Sequence, residues 1–284
     1  MVSNNAYQFV DAFLARLAFS PAVLVHVHAI QGSAPRDAGT WMAVFSDSLV
    51  GTIGGGHLEY QAIAQARVWL QTAAPHSLDR HTRFALGPAL GQCCGGVVHV
   101  RFERLARMTA VESSPLKTQL ERQLHSTWQP VALFGGGHVG HALVRVLAQL
   151  PFALTWIDSR DGVFSPDVPR NVVCEHSEPV EGAVPSLAAQ SRVLIMSFSH
   201  AEDLDVLAAC LERQRTRADL PYIGLIGSAT KWATFQHRLQ ARGFTPDELA
   251  HVTSPIGVPG IAGKAPEVIA VAVAAQLLQG VNRA

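Results

Sequence analysis

Two hydrophobic patterns share this chain, and the change between them divides it. Phe9, Phe13, Leu14 and Leu17 recur at helical spacing, so Asn4 to Phe19 is predicted to be a helix with one apolar face. Ala22 to Ile30 is dense in Val and Ile and reads as a buried strand. The turn-rich segment QGSAPRDAG separates it from strands at Thr40 to Phe45 and Leu49 to Ile53. GGGH then opens a helix from about Leu58 to Gln71. One more strand precedes GPALGQCCGG, and Val97 to Leu105 is another. Short strands with one or two helices predict a small mixed α/β domain over residues 1–110.

A charged, helical connection follows over residues 111–128. From there to residue 284 the pattern is regular. Strands at PVALFG, Phe152 to Ile157, Arg192 to Ser197 and Tyr222 to Ile226 alternate with helices at Val139 to Leu150, Ala201 to Arg213 and Ala229 to Ala241. Val172 to Glu175 is a short strand, and Pro266 to Leu278 a last helix. Such alternation implies parallel βαβ units and a doubly wound, Rossmann-like sheet.

Composition narrows the function. Of 284 residues, 48% are hydrophobic, enough for a sizeable core, which excludes disorder as the main state. Lys plus Arg and Asp plus Glu are 22 each, so neither nucleic acid nor an anionic membrane surface is an expected partner. The charged fraction, 15%, is low against a usual ~25%, which suggests a surface partly covered by a partner or a second subunit. The longest uncharged apolar run, Val268 to Leu278, is shorter than the ~18 residues of a membrane span, and the N-terminus does not read as a secretory signal. Cysteines stand at 93, 94, 174 and 210 without a C-x-x-C pair, which points to a reducing compartment, the cytoplasm. Cys174 and Cys210 sit in apolar patterns and are expected in the core.

Four groups of residues could carry chemistry. In FGGGHVGHAL, Gly135, Gly137 and Gly140 fit G-x-G-x-x-G between a strand and a helix, and Asp158 ends the next strand. There an acid can hold a ribose 2′-hydroxyl, and the helix N-terminus can take a phosphate. The alternative is that the glycines only pack helix on sheet. In GTIGGGHLEY, Gly54, Gly55 and Gly56 form either an anion cradle or a tight strand-to-helix turn. In GPALGQCCGGVV, Cys93 and Cys94 precede Gly95 and Gly96, so an accessible thiol could be a nucleophile, carry a persulfide or bind a soft metal. Lastly, Arg36, Lys231 and Lys264 are isolated cations in turn-rich segments, and Lys231 follows Ser228 one turn into a helix. Each could meet a phosphate or carboxylate. His26 and His28 share a strand face but lack a third metal ligand. No nucleophile elbow and no P-loop is present.

Read together, GSAPRDAGTWM, GTIGGGHLEYQA, LGQCCGGVV, FGGGHVGHAL, TWIDSR, YIGLIGSATKW and SPIGVPGIAGKAPEVIAVAVAAQLL resemble, in this order, the xanthine dehydrogenase accessory protein family, XdhC and the related CoxI. The resemblance runs from about Ser33 to Leu278. It implies two domains, a homodimer, and binding of the molybdenum cofactor in its molybdopterin form. It also implies sulfuration of that cofactor with a cysteine desulfurase and delivery to the molybdenum-binding subunit of xanthine dehydrogenase. Carried over, the cysteine loop maps to Cys93 and Cys94, with Cys94 the contact to molybdenum. The glycine turn maps to Gly135, Gly137 and Gly140, and the D-S-R segment to Asp158 and Arg160. One departure stands out. Where the family often reads T-H-D-H-x-x-D, this chain has Ser197, Phe198, Ser199, His200 and Asp203. The other reading of the same residues is an NAD(P)-dependent oxidoreductase, with a nucleotide in the Rossmann-like domain.

Overall fold

A strand whose side chains alternate between two faces needs a cover on each, and strand β1 (Ala22–Gln31) has both. Val23, Val25 and Val27 face Leu58, Ala62 and Ala66 of helix α2 (Gly56–Gln71). Ala22 and Leu24 face Val10, Phe13, Leu14 and Leu17 of helix α1 (Ala6–Leu17). Around β1 lie β2 (Trp41–Val44), β3 (Leu49–Gly51), β4 (Asp79–Ala85) and β5 (Val97–Leu105). The sheet order is β3-β2-β1-β5-β4, antiparallel throughout, with a register shift in β1 between Val27 and Ala29 opposite β5. In this computed structural model, residues 6–72, 79–86, 95–108, 115, 118–119 and 128–281 are described. The chain divides into two units at residues 126 and 127.

The second unit runs β6 (Gln129–Phe134), α3 (His138–Leu147), β7 (Phe152–Asp158), β8 (Val172–His176), a 3-10 turn at Val180–Ser186, β9 (Arg192–Ile195) and α4 (His200–Arg217). It continues through β10 (Tyr222–Leu225), α5 (Ala229–Ala241), α6 (Pro246–Leu249), β11 (Val252–Thr253) and α7 (Pro266–Val281). The strands lie in the order β8-β7-β6-β9-β10-β11, and every pairing is parallel. Numbered within the unit, this is 3-2-1-4-5-6, the Rossmann order, with its switch point between β6 and β9. Alternation again sorts the core: Val131 and Leu133 pack with α3 and α7, while Ala132 and Phe134 pack with α4 and α5. The fold class read from the sequence is the one observed. The 3-10 turn, α6 and β11 escape the sequence reading because each is too short to show a period.

The two cysteines expected in the core differ. Cys210 of α4 is fully buried, and burial pushes its thiol up to about 12, so it is no thiolate at neutral pH. Cys174 is exposed, which corrects the expectation. Its strand β8 ends the sheet, and along it only Val172 is buried. No helix among the described residues is long and apolar enough to cross a membrane.

Helix α6 is a single turn, held by its ends. Thr245 and Glu248 form a capping box, and the Glu248 carboxylate also takes two hydrogen bonds from Arg215 of α4, at 2.5 and 2.9 Å. The Arg215 guanidinium, then the Thr245 backbone N–H, hold the Glu248 carboxyl at about 2. A depressed carboxyl contributes stability above its unfolded value and loses it as pH falls through the folded one. The stability difference between wild type and Glu248→Gln should therefore be full above pH 4.5 and shrink toward pH 2, as urea melts at stepped pH would show.

Candidate functional site

The glycine turn after β6 is tight because backbone passes where side chains would be. Gly135 (φ +121°) is wedged so that a Cβ would strike the Met196 carbonyl at the end of β9. A Cβ on Gly140 would strike the Gly135 carbonyl, and one on Gly136 would strike Val163. The Trp156 indole donates to the Gly135 carbonyl at 3.0 Å and fixes it. Gly137 differs. It is the N-cap of α3, no side chain caps it, and a Cβ there would meet nothing within 4 Å. Close packing therefore explains Gly135, Gly136 and Gly140. At Gly137 alone the turn opens an uncapped helix N-terminus to an approaching anion. The role of Gly136 is new relative to the motif, where it stands as x; the signal was the unbroken Gly-Gly-Gly run.

Asp158 ends β7 beside this turn, 2% exposed. Its Oδ2 accepts from the Gly136 N–H at 2.6 Å and from an Arg160 terminal N–H at 2.9 Å. Its Oδ1 accepts from the Arg160 backbone N–H and Nε, each at 2.9 Å. Burial pushes the carboxyl up, but the hydrogen bonds from the Arg160 side chain, the Arg160 backbone and Gly136 outweigh it, and the net shift is down. Four donors fill the roughly four acceptor positions of a carboxylate. This corrects the expectation of a ribose anchor: in this arrangement the carboxylate closes the turn and has no acceptor left for a hydroxyl. Arg160 is correspondingly committed, its guanidinium also lying 4.5 Å from the centroid of Phe198, which is 66% exposed.

The departure after β9 now has a physical reading. Ser199 caps α4, its hydroxyl accepting from the Glu202 N–H at 3.2 Å, a task Asp also performs. Glu202 in turn accepts from the Ser159 hydroxyl at 2.7 Å and the Phe198 N–H at 3.1 Å. Phe198, where the family often has His, covers Arg160 instead of adding an imidazole.

Lys231 and Ser228 were expected to meet an anion, and both are already engaged. The Lys231 ammonium donates to Asp203 Oδ2 at 2.6 Å and the Ile226 carbonyl at 2.9 Å, nearly out of solvent. Asp203 Oδ1 accepts from the Ser197 N–H at 2.7 Å, so this pair ties β9, α4 and α5 together. The Ser228 hydroxyl caps α5 by accepting from the Lys231 N–H. Both are corrected to structural duties. Lys264 is exposed, and among the described residues nothing pairs with it.

In the first unit the loops converge. Gly54 lies so close to the Pro35–Arg36 segment that a Cβ would strike Pro35. Gly96 lies against the carbonyls of Gln31 and Ser33. The segment from Gln31 to Arg36 thus lies against Gly96 at one end and against Gly54 at the other. Cys93 and Cys94 themselves lie outside the described residues; Gly95 is exposed and Gly96 buried. The Gly54 to Gly56 cradle, however, is filled from within. The Glu59 carboxylate accepts from the Ile53 N–H at 2.9 Å, the Gly55 N–H at 3.1 Å and the Thr52 hydroxyl, while Thr52 accepts from the Gly54 N–H at 3.1 Å. That corrects these glycines from anion ligands to a turn that carries its own anion. Arg36 stays exposed, with no hydrogen bond or ion pair among the described residues. No group of three His, Cys, Asp or Glu among the described residues could hold a metal ion.

These assignments separate by stability. Gly140→Ala should cost about 1–3 kcal/mol, because the backbone it strikes must move. Gly137→Ala should stay within about 1 kcal/mol in the same chemical-denaturation experiment. Lys231→Met leaves Asp203 charged and buried without its partner and should cost about 3–5 kcal/mol.

Both units match a known family. Residues 131–277 match the XdhC Rossmann domain and residues 16–82 match the XdhC and CoxI family. An Escherichia coli protein, uncharacterized protein YqeB, is 26% identical over 267 residues, which are 93% of this chain and 44% of that protein. The chain thus spans less than half the length of this curated relative. A crystal structure of a Bacillus halodurans protein described as a xanthine dehydrogenase is 21% identical, covers 95% of each chain and superposes with a TM-score of 0.69, which shows the shared fold. The ordered motifs, the Rossmann-order sheet and the family matches across both units place the chain in the XdhC and CoxI family.

Proposed function

We propose that the protein binds the molybdenum cofactor in its molybdopterin form, supports its sulfuration with a cysteine desulfurase and delivers it to the molybdenum-binding subunit of a xanthine dehydrogenase. In this reading it works as a cytoplasmic homodimer and a carrier, not as an enzyme with its own turnover. The observation that carries the proposal is the convergence in the first unit. The Arg36 loop and Gly96, at the root of the cysteine loop, lie against one another, and Arg36 is uncommitted while the neighbouring cradle is filled by Glu59. A free guanidinium suits a phosphate monoester, and a thiolate suits a soft metal centre. In the second unit, taken by itself, Gly137 leaves the N-terminus of α3 open. Arg160, Ser228 and Lys231 would then support the site by shaping it and not by touching cofactor, while Lys264 keeps a free charge.

The oxidoreductase reading loses its main support with Asp158. A carboxylate that accepts four hydrogen bonds inside its own turn offers a nicotinamide dinucleotide no ribose anchor.

The test is to load the purified full chain with the molybdenum cofactor, then measure bound molybdenum and transfer to the apo-dehydrogenase. Cys94→Ala should lower transfer by roughly 10-fold or more, and Arg36→Gln should weaken binding by about 10-fold, the size of one charge-assisted hydrogen bond. A chain that binds no molybdopterin would sink the proposal. NADH binding at micromolar concentration, lost in Asp158→Asn, would favour the oxidoreductase.

A further inference from the structure

The face of the first sheet that α1 covers has a second half that α1 does not cover. Ala22 and Leu24 of β1 lie under the helix, and His26 and His28 follow them on that face. The register places Arg101 of β5 opposite His26, and His81 of β4 opposite Arg101. One row on, Arg83 of β4 lies opposite His99 of β5. The β1 shift between Val27 and Ala29 keeps His28 on this face, and its ring meets that of His81 edge-on at 5.4 Å between centroids. His28, His81 and Arg83 are exposed; His26, His99 and Arg101 are half-buried. Four imidazoles and two guanidiniums on one face of three strands is a concentration of cationic capacity in a chain of zero net charge.

We propose that this patch is a binding site for a compact phosphate anion of the diphosphate class, and that its affinity rises as pH falls. Its size argues for a compact ligand. Three strands at ~4.8 Å spacing and two rows of side chains at ~7 Å span about 10 by 7 Å. One end is fenced by acid: Glu103 of β5 lies on the same face, 3.7 Å from Arg101, and is opposite Asp79 in the register. A long acidic chain running along the strands would meet that fence, whereas a diphosphate would stop short of it. Helix α1, the helix that packs on this face among the described residues, carries Asp11 and Arg16 as its charged residues, and Arg16 is committed to Asp47. The neighbour of His26 on β2 is Trp41, which is uncharged.

The pH dependence follows from the pairing. Two imidazoles edge-on at 5.4 Å repel if both are protonated, and an anion bound beside the pair offsets the repulsion. Burial, then Arg101 and His28, pull the His26 pKa below the ordinary value, and a bound anion would act in the opposite direction. Binding should therefore take up protons, and weaken above the ordinary histidine range as they become unavailable. The site uses none of the residues assigned above to the cofactor.

The experiment is calorimetric titration of the full chain with inorganic pyrophosphate at about pH 6 and about pH 8, in two buffers of different ionisation enthalpy. The expected result is at least about 10-fold tighter binding at the lower pH, with proton uptake. His28→Asn with His81→Asn, both at exposed positions, should reduce the pH dependence several-fold, and Arg83→Gln should weaken binding at both pH values. No binding at either pH, equal binding at both, or binding that the double variant leaves unchanged would overturn the proposal. So would loss of binding in Arg36→Gln alone, or tighter capture of a polyglutamate peptide than of pyrophosphate. Because the probe is inorganic, these outcomes are independent of whether the chain carries the molybdenum cofactor.

Discussion

The Asp158 carboxylate is the contact on which the second unit's site depends. It sits where three segments meet: the glycine turn through Gly136, the end of β7, and the Arg160 side chain that lies against Phe198. A buried carboxylate is costly unless its acceptors are filled, and here they are. The same solution appears in the first unit, where Glu59 reaches back to the N–H groups of Ile53 and Gly55. In both units a glycine-rich turn that could have cradled an outside anion holds an anion of its own.

That constraint redistributes the roles of the charged residues. Lys231 serves Asp203, Arg160 serves Asp158, and Ser228 and Ser199 cap helices. Among the described residues that the sequence reading offered as anion ligands, those left uncommitted are Arg36 near the root of the cysteine loop, Gly137 at the open N-terminus of α3, and Lys264. In the proposed carrier role, contacts of this limited kind would let a charged cargo be held and then released. A fully lined phosphate cradle would bind tightly and release slowly, since affinity differences are expressed mainly in dissociation.

Much of the fold was legible before the structure. Strong period-two and period-3.6 patterns placed nearly every long element, and Val97 to Leu105 and Ala229 to Ala241 have the ends that were read. The failures have physical causes. Cys174 looked like core because Val172 and Val173 flank it, but an edge strand has too few neighbours to bury them all, and Val173 is 62% exposed. Lys231 looked like a free cation because nothing in LIGSATKW opposes it. Its partner Asp203 lies 28 positions away on another helix, beyond the reach of local pattern.

By itself the sequence determined the succession of elements, the two-unit architecture and the family, because periodicity and ordered motifs are properties of the chain. Tertiary structure alone decided which charges remain available. A glycine turn looks the same on paper whether it awaits a ligand or already holds Glu59 or Asp158. Likewise, His26, His28, His81 and His99 are scattered in sequence and share a face only once β1, β5 and β4 are paired in register. Hydrogen-bond saturation and strand pairing are relations between distant residues, and only folding brings those residues together.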